Sequence, residues 1–353
     1  MTLDHERRRL LRGASAAGLG LSLGSAARAQ SEFPKGTIRM IVPFPAGGST
    51  DLLARLIGQG IAARNGQQVV IENRGGASGM IGTNAIAKSA PDGLNYGLTT
   101  VSSIVTAPFV HDKVPYDVDK EIAFVTLIAT VPMVLAVHPS VPVRTAQELV
   151  RWLKANRGKA SYGSVSLGHY GHVATAHLND SLDAAMVHVR YKGEAQMLQD
   201  LLANQLPLSF VTIATSKAHV EAGKLRLLGI TGTRRHSSMP ELPTLAEQGL
   251  DDDVYKMNPG WIGVIAPART APAMIQRMAT EVVAVARDPS IAAIFQPNPE
   301  GPVRALLVAG CCGNVGFGKL GQWARILAPY GIPVIALDLS ADVLQVRERL
   351  AKE

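Results

Sequence analysis

Short apolar runs alternate with stretches of helical periodicity along most of the chain, from residue 37 onwards. The short runs predict strands, and the longer stretches place apolar residues at helical spacing and predict helices. Alternation of this kind predicts an α/β architecture. The predicted strands cover 38–42, 68–72, 94–99, 134–137, 159–162, 185–189, 206–211, 225–231 and 262–265. The predicted helices cover 51–63, 79–88, 145–156, 171–181, 194–203, 215–222 and 272–286.

The turn after the first predicted strand has the most informative local pattern. Residues 43–48, Pro-Phe-Pro-Ala-Gly-Gly, are incompatible with a continuing strand. Ser49, Thr50 and Asp51 follow, and all three are residue types that cap helices. Such a turn leaves unsatisfied main-chain N–H groups at a helix start, where the helix dipole also favours an anion. The turn lacks the nucleotide motifs, so the spacing leaves open a carboxylate or phosphate site and a purely structural βα turn.

Residues 1–29 have the pattern of an export signal. The arginine-rich segment 7–12 precedes an uncharged stretch of small and apolar residues, and Ala27-Arg28-Ala29 supplies an A-x-A cleavage pattern. The paired arginines resemble a twin-arginine signal, with an ordinary secretory signal as the alternative. Cleavage near Ala29 removes five arginines and two acidic residues, so the formal net charge falls from +7 to +4. We therefore expect an exported, periplasmic protein.

Composition argues against several functional classes. No basic cluster with interleaved aromatic residues remains after the signal, which argues against binding to nucleic acid. The two cysteines, Cys311 and Cys312, are adjacent and form no metal-ligand framework. Residues 31–295 show no nucleophile paired with a general base. We expect a protein that is not an enzyme and holds no metal.

Several motifs, in order, resemble the Bug/TctC family, the extracytoplasmic solute receptors of tripartite tricarboxylate transporters. They are VPFPAGGSTD (42–51), VIENRGGASG (70–79), IGT (81–83), APDG (90–93), YGS (162–164), VHVRYKG (187–193), AGKLR (222–226) and LPTLAE (242–247). The resemblance covers roughly residues 33 to 295. It implies the two-lobe fold of type II periplasmic binding proteins, which close on a ligand about a hinge. Lobe I would combine 31–135 with 232–296, and lobe II would be 136–231.

The resemblance and the hydroxyl-rich loops together predict a ligand cleft. The predicted ligand-binding residues are Phe44, Ala46, Gly47, Gly48, Ser49, Thr50, Asp51, Ser102, Ser103, Ser164, Ser166, Gly168, His169 and Thr212. Within this set, Asp51 would repel an anion and is interpreted first as a cap or brace of its loop. Ser102 and Ser103 have a simple ST-turn as the alternative. His169 and His172 stand three residues apart, but no third metal ligand is in sight, so contact with an anionic ligand is favoured.

Residues 297–353 depart from the family pattern. The amphipathic C-terminal helix of the relatives is not visible, and an apolar run instead leads into Gly316-x-Gly318-x-x-Gly321. A predicted helix, a second strand at 333–337 and Asp338 follow, as in a dinucleotide-binding unit. Residues 313–340 resemble the NAD-binding core of D-2-hydroxyacid dehydrogenases. The catalytic positions of that family have no counterpart here, and a single βαβ unit cannot bury both faces of its sheet. We interpret the segment as a truncated Rossmann-like fragment whose cofactor site is vestigial.

The sequence thus predicts a monomeric periplasmic receptor that binds a small carboxylate. It would present this ligand to the membrane subunits of a tripartite tricarboxylate transporter, without a cofactor. Two alternatives remain at this stage: an NAD-binding oxidoreductase acting through the C-terminal fragment, and a non-functional chimera. The ligand itself stays open among tricarboxylates, dicarboxylates, amino acids and aromatic acids.

Overall fold

The computed structural model describes residues 33–256, 260–292, 296–297, 306–310 and 334–338. The chain divides into two units, Met1–Lys35 and Gly36–Glu353, and every element below lies in the second. The predicted export signal falls outside the described residues and stays a prediction.

The described helices and strands alternate along the chain, as the apolar pattern predicts. The strands are β1 (Ile38–Val42), β2 (Val69–Asn73), β3 (Asn95–Thr100), β4 (Ile122–Thr130), β5 (Met133–Val137), β6 (Ser161–Ser164), β7 (Val187–Arg190), β8 (Leu208–Thr212), β9 (Arg226–Ile230), β10 (Trp261–Pro267), β11 (Gln296–Pro297), β12 (Leu306–Gly310) and β13 (Val334–Asp338). The helices are α1 (Ser49–Asn65), α2 (Met80–Ala87), α3 (Ala107–Val110), α4 (Val118–Glu121), α5 (Ala146–Ala155), α6 (Tyr170–Ser181), α7 (Glu194–Leu202), α8 (Ile213–Glu221), α9 (Asp253–Lys256), α10 (Pro272–Ala286) and α11 (Pro289–Ala292).

The first lobe is built on a six-stranded mixed sheet in the order β11-β4-β10-β3-β1-β2. Strand β1 runs parallel to β2 and β3, and β10 runs antiparallel to β3 and β4. Helix α1 buries Leu53, Ile57 and Ile61, which recur at helical spacing. The helix ends at Gly66, whose left-handed φ of 67° lets its N–H bond to the Ala62 carbonyl at 2.8 Å.

The second lobe is built on a five-stranded sheet in the order β7-β6-β8-β5-β9. Strand β5 runs antiparallel to β8 and β9, and all five of its residues are buried. Its two faces contribute to different core clusters: Leu135 packs with residues of α5 and α6, and Ala136 packs with residues of α7. Burial on both faces explains why β5 is a continuous apolar run without alternation.

The chain crosses between the lobes twice, between β4 and β5 and again after β9. At the first crossing, the Val131 N–H donates to the Gly260 carbonyl at 2.6 Å. Thr231 ties the second crossing to the start of β5, because its hydroxyl accepts the Met133 N–H at 3.0 Å. Its own N–H donates to the Met133 carbonyl at 2.9 Å. The two crossing segments therefore lie side by side, in the arrangement of a hinge.

All nine predicted strands are present within a few residues, but the prediction missed β4. This nine-residue strand, IAFVTLIAT, is mostly half-buried and shows no alternation of apolar and polar positions. It also follows α4 without a turn: the helix ends at Glu121, the strand begins at Ile122, and neither residue is a glycine or a proline that would mark the boundary. The missing turn signal explains the error.

The predicted strands of the C-terminal fragment also exist. β12 and β13 pair in parallel as a separate two-stranded sheet, with Gly310 opposite Asp338. The three glycines of the predicted dinucleotide motif, Gly316, Gly318 and Gly321, lie outside the described residues. Cofactor binding by this segment stays a prediction.

Candidate functional site

The glycine-rich loop between β1 and α1 is held in shape by Asp51. The carboxylate of this buried residue accepts the main-chain N–H of Gly47 at 3.0 Å. It also accepts from the guanidinium of Arg55 through two nitrogens, each at 3.0 Å, and from the Asn73 amide at 2.8 Å. Burial raises the pKa of Asp51, but hydrogen bonds from Arg55, Gly47 and Asn73 outweigh it and hold the pKa below its usual range. Asp51 therefore braces the loop.

The N-terminus of α1 faces the second lobe across a cleft. Gly48 is the N-cap residue and provides no side chain, so the first helical N–H groups depend on other partners. One partner is Glu194, the first residue of α7: its Oε2 accepts the Ser49 N–H at 3.2 Å. The other oxygen, Oε1, accepts the Thr212 N–H and the Thr215 hydroxyl, both at 2.8 Å. A carboxylate from the second lobe thus occupies part of the anion-binding end of α1.

Glycines allow the two lobes to approach closely here. A Cβ on Gly193, just before α7, would lie 2.9 Å from Pro45 Cδ in the first loop. A Cβ on Gly47 would lie 3.3 Å from that of Ala195, and Gly47 also has a φ of 86° that favours glycine. The Ser78 hydroxyl makes a further contact across the cleft by donating to the Leu167 carbonyl at 3.0 Å.

The second predicted loop, after β3, is a compact network of hydroxyl groups. The Thr100 and Ser102 hydroxyls bond to each other at 2.8 Å, and those of Thr99 and Ser103 at 3.0 Å. The Tyr116 hydroxyl donates to the Ser103 carbonyl. Ser103 is fully buried beneath the loop, whereas Thr100 and Ser102 border the cleft.

The loop before α6 contributes histidines from the second lobe. His169 caps the helix: its Nδ1 accepts the Gly171 N–H at 3.2 Å. His172 is fully buried, and its Nδ1 accepts the Gly168 N–H at 3.3 Å. The Ser164 hydroxyl and His188 Nε2 form a hydrogen bond of 2.7 Å. The Nδ1 atoms of His169 and His172 are thus engaged by main-chain donors, which argues against a shared metal.

These loops enclose a cavity between the lobes. Much of its wall is apolar and includes four aromatic side chains, and polar groups interrupt that wall at a few places. The aromatic lining residues are Phe44, Tyr170, Phe210 and Trp261. The polar ones are Ser49, Thr50, Thr100, Ser102, His169, Glu194 and Thr212.

The described side chains that line the cavity include an acidic group but no positively charged group to balance it. Among the described lining residues, Glu194 is the sole acidic side chain, and no lysine or arginine lines the wall. Burial lowers the pKa of His169 to about 4, although Glu194 acts in the opposite direction. His169 is therefore uncharged near neutral pH and meets the cleft as a neutral imidazole.

The cavity brings together half of the predicted ligand-binding residues. Those that line it are Phe44, Gly48, Ser49, Thr50, Ser102, His169 and Thr212. The remaining ones, Ala46, Gly47, Asp51, Ser103, Ser164, Ser166 and Gly168, do not border it. Several of these instead shape the loops, as the bonds of Asp51 and Ser103 illustrate. Val211, next to the lining residue Thr212, is buried in the core of the second lobe.

Sequence reasoning missed Glu194 and most of the aromatic wall. Glu194 follows the predicted strand 185–189 and Gly193, and it opens a predicted helix. This is again a strand, a glycine and a helix start, the same signal that identified the first loop. An acidic residue in a first helical turn is ordinarily explained by the helix dipole, so its role across the cleft stayed hidden.

Two further searches bear on function. No group of three or more potential metal-ligating side chains exists among the described residues. Within the same residues, no helix combines the length and apolar character needed to cross a membrane.

Comparison with known proteins agrees with this architecture. Residues 53–304 match the TctC family, described as the tripartite tricarboxylate transporter family receptor. The UPF0065 protein in the tcbD-tcbE intergenic region of Pseudomonas sp. (strain P51) is 34% identical over 279 residues, covering 78% of this chain and 81% of the relative.

Solved structures show the same fold. Rpa4515 of R. palustris with adipate has a TM-score of 0.72 and 29% identity, covering 86% of this chain and 100% of that chain. The periplasmic binding protein BugD has a TM-score of 0.69 and 26% identity, with the same 86% and 100% coverage. The family match continues to residue 304, slightly beyond the predicted limit near residue 295. From its two lobes, its cleft and these matches, the chain belongs to the TctC (Bug) family of solute-binding receptors of tripartite tricarboxylate transporters.

Proposed function

We propose that this protein captures a small carboxylate in the cleft between its lobes and delivers it to the membrane subunits of a tripartite transporter. The observation that carries the proposal is the N-terminus of α1, a 17-residue helix that opens into a cavity shared by both lobes. A helix N-terminus offers main-chain N–H groups and a favourable dipole to an anion.

Polar donors around this helix end complement a carboxylate. The Ser49 and Thr50 hydroxyls border the cavity and make no hydrogen bond to other described side chains or carbonyls. The Trp261 indole N–H is buried at the cavity wall and has no partner among the described residues. Bonds from such donors to an ionised carboxylate are roughly twice as strong as neutral ones. The aromatic side chains would pack against the carbon skeleton of the ligand.

The relatives support this ligand class. Rpa4515, which shares 29% identity and the whole fold, has a structure with adipate. A dicarboxylate of this kind is a small organic acid with a flexible apolar middle, and the aromatic wall of the present cavity suits such a middle. We extend the class, small carboxylates, to this chain and leave the individual acid to experiment.

We also propose that the protein binds without chemical conversion. The lining histidine, His169, uses Nδ1 for the helix cap, and the lining hydroxyl of Ser102 bonds to Thr100. Neither is arranged as a nucleophile with a general base. We further propose a periplasmic location after export, a monomer, and lobe boundaries at 31–135 with 232–296 and at 136–231. No observation favours the dinucleotide-binding alternative.

Isothermal titration with adipate and other small carboxylates tests the proposal. Ser49→Ala combined with Thr50→Val removes two hydroxyls from the helix start. We expect this double variant to weaken binding by about tenfold or more, because hydrogen bonds to charged groups contribute about 1.5 to 3 kcal/mol each. Ser181→Ala, at the far end of α6, is the matched control and should bind as the original chain does. Equal affinities for the double variant and the control would contradict the proposed site.

A further inference from the structure

The side chain of Glu194 has an unusual position for a receptor of anions. It is 9% exposed, borders the cavity, and comes from the second lobe to meet the first helix of the first lobe. Its Oε1 accepts two hydrogen bonds, from Thr212 and Thr215. Its Oε2 accepts a single bond from Ser49, so one acceptor direction of this oxygen remains for a donor in the cleft.

The surroundings offer no positive charge to balance this carboxylate within the cavity. No lysine or arginine is present among the described lining residues, and the remaining polar groups there are hydroxyls and the neutral His169. A ligand that places a second carboxylate beside Glu194 would set two like charges close together in a poorly solvated space. Like charges at such distances disfavour each other strongly.

We propose that Glu194 is a specificity-determining residue that selects carboxylic acids carrying a hydrogen-bond donor at their other end, an ammonium or an amide, over dicarboxylates. The proposal rests on the proposed function, because it assigns the orientation of a ligand within the same cleft. The ligand carboxylate would bind at the Thr50 hydroxyl and the Trp261 N–H, because Glu194 already accepts the Ser49 N–H. The donor end would face Glu194 Oε2, and the apolar middle would lie along Phe44 and Phe210.

The selection works through rejection as much as attraction. Glu194 satisfies one N–H of α1 internally, and its charge then opposes any ligand acid that approaches the same oxygen. A donor group instead completes the hydrogen bonding of Oε2. Discrimination of this kind, in which a wrong ligand meets an unpaired charge, is a general route to specificity.

Three nearly isosteric ligands test the proposal: adipate, its monoamide adipamate, and 6-aminohexanoate. They share a six-carbon acid and differ at the second end, which is an acid, an amide or an ammonium. We expect the original chain to bind adipamate or 6-aminohexanoate more tightly than adipate by about tenfold or more. Glu194→Gln keeps the side-chain shape and removes the charge, and we expect it to reduce this ratio by about tenfold or more.

Controls separate specificity from folding. Glu221→Gln changes an exposed acid at the end of α8, outside the cavity, and should leave the ratio unchanged. Thermal unfolding of each variant shows whether it is folded. If Glu194→Gln does not fold, Glu194→Ala provides the comparison, and the ligand preference of the original chain is a test that needs no variant.

The outcomes distinguish the two proposals. A preference of the original chain for adipate, or an unchanged ratio in a folded Glu194→Gln, overturns the role of Glu194 and leaves the carboxylate receptor standing. If none of the three acids binds the original chain while other carboxylates do, the donor-end class is wrong. Failure of every carboxylate to bind overturns the proposed function and this inference with it.

Discussion

The imidazole rings of His172 and His188 stack in the second lobe, with their centroids 4.2 Å apart and 17° between their planes. The Tyr162 ring lies against that of His188 at 4.8 Å. Ser164 bonds to His188, and Gly168 bonds to His172, so the stack supports both ends of the loop that precedes α6. The two histidines are therefore structural groups behind the cleft wall.

Acid should weaken the fold through this histidine pair. Burial lowers the pKa of His172 to about 3, and the charge of Arg190 and those that His188 and His169 carry when protonated lower it further. Burial, with Arg190, lowers the pKa of His188 to about 4. The unfolded chain takes up protons at an ordinary histidine pKa of about 6.5, so it binds more protons than the native state below that pH. The contribution of the neutral histidine pair to stability is complete above about pH 6.5, declines as the pH falls, and is lost through the native pKa values of about 4 and about 3. Denaturant unfolding at pH 7 and pH 5 should show a loss on the order of a few kcal/mol.

A double variant isolates the contribution of the stack. His172→Phe with His188→Phe keeps two aromatic rings and removes both titrating groups. We expect a lower stability at pH 7, since two hydrogen bonds are lost, and a smaller difference between pH 7 and pH 5. A difference as large as that of the original chain would assign the acid sensitivity to other groups.

Loss of the Asp51 brace should destabilise the first loop. Asp51→Asn weakens bonds to Gly47 and Arg55 that hold the turn before α1. We expect a decrease of about 1 to 3 kcal/mol in the free energy of unfolding, because a buried acceptor network loses its charge. Asp183→Asn is the control: this exposed acid pairs with Arg157 on the surface and should leave the unfolding midpoint nearly unchanged. Similar losses in both variants would refute the distinction.

Helices α1 and α10 pack so closely that one position requires glycine. A Cβ on Gly60 would lie 2.3 Å from Val285 Cγ1. Gly60→Ala should cost about 1 to 3 kcal/mol of stability through overpacking, although alanine favours a helix. Val285→Ala opens the space, so the double variant should be more stable than the sum of the two single changes indicates. Strict additivity in this cycle would contradict the close packing.

Trp261 should report ligand binding by its fluorescence. It borders the cavity, whereas Trp152 packs against the core of the second lobe, and the chain has three tryptophans. We expect a bound acid to change the emission, with the change lost in Trp261→Phe and retained in Trp152→Phe. Loss of the signal in the Trp152 variant instead would move the ligand away from the cleft.

The local patterns of the chain were sufficient to predict most of the fold. Proline, glycine and capping residues mark the first loop unambiguously, and the continuous apolar run of β5 identifies a strand covered on both faces. The prediction missed strand β4 because no turn residue marks its junction with α4. The alternation of strands and helices can be predicted because each element has its own local pattern of apolar residues.

The site could be predicted only in part. The hydroxyls of Ser49, Thr50 and Ser102 stand out because they follow strands. Glu194 meets Ser49 across 145 positions of sequence. Such a contact depends on how the two lobes meet, which no local pattern specifies. The position of Trp261 in the cavity wall could not be predicted either, because an aromatic residue at the start of a strand is ordinarily part of the core.

Thermal unfolding of the full chain with a panel of small carboxylates, and with NAD, tests the central claim most directly. A ligand of the native state raises the midpoint in proportion to the logarithm of its concentration over Kd. We expect a rise that grows with ligand concentration for at least one carboxylic acid, and none with NAD. A rise with NAD alone, or no rise with any acid, would contradict a carboxylate receptor.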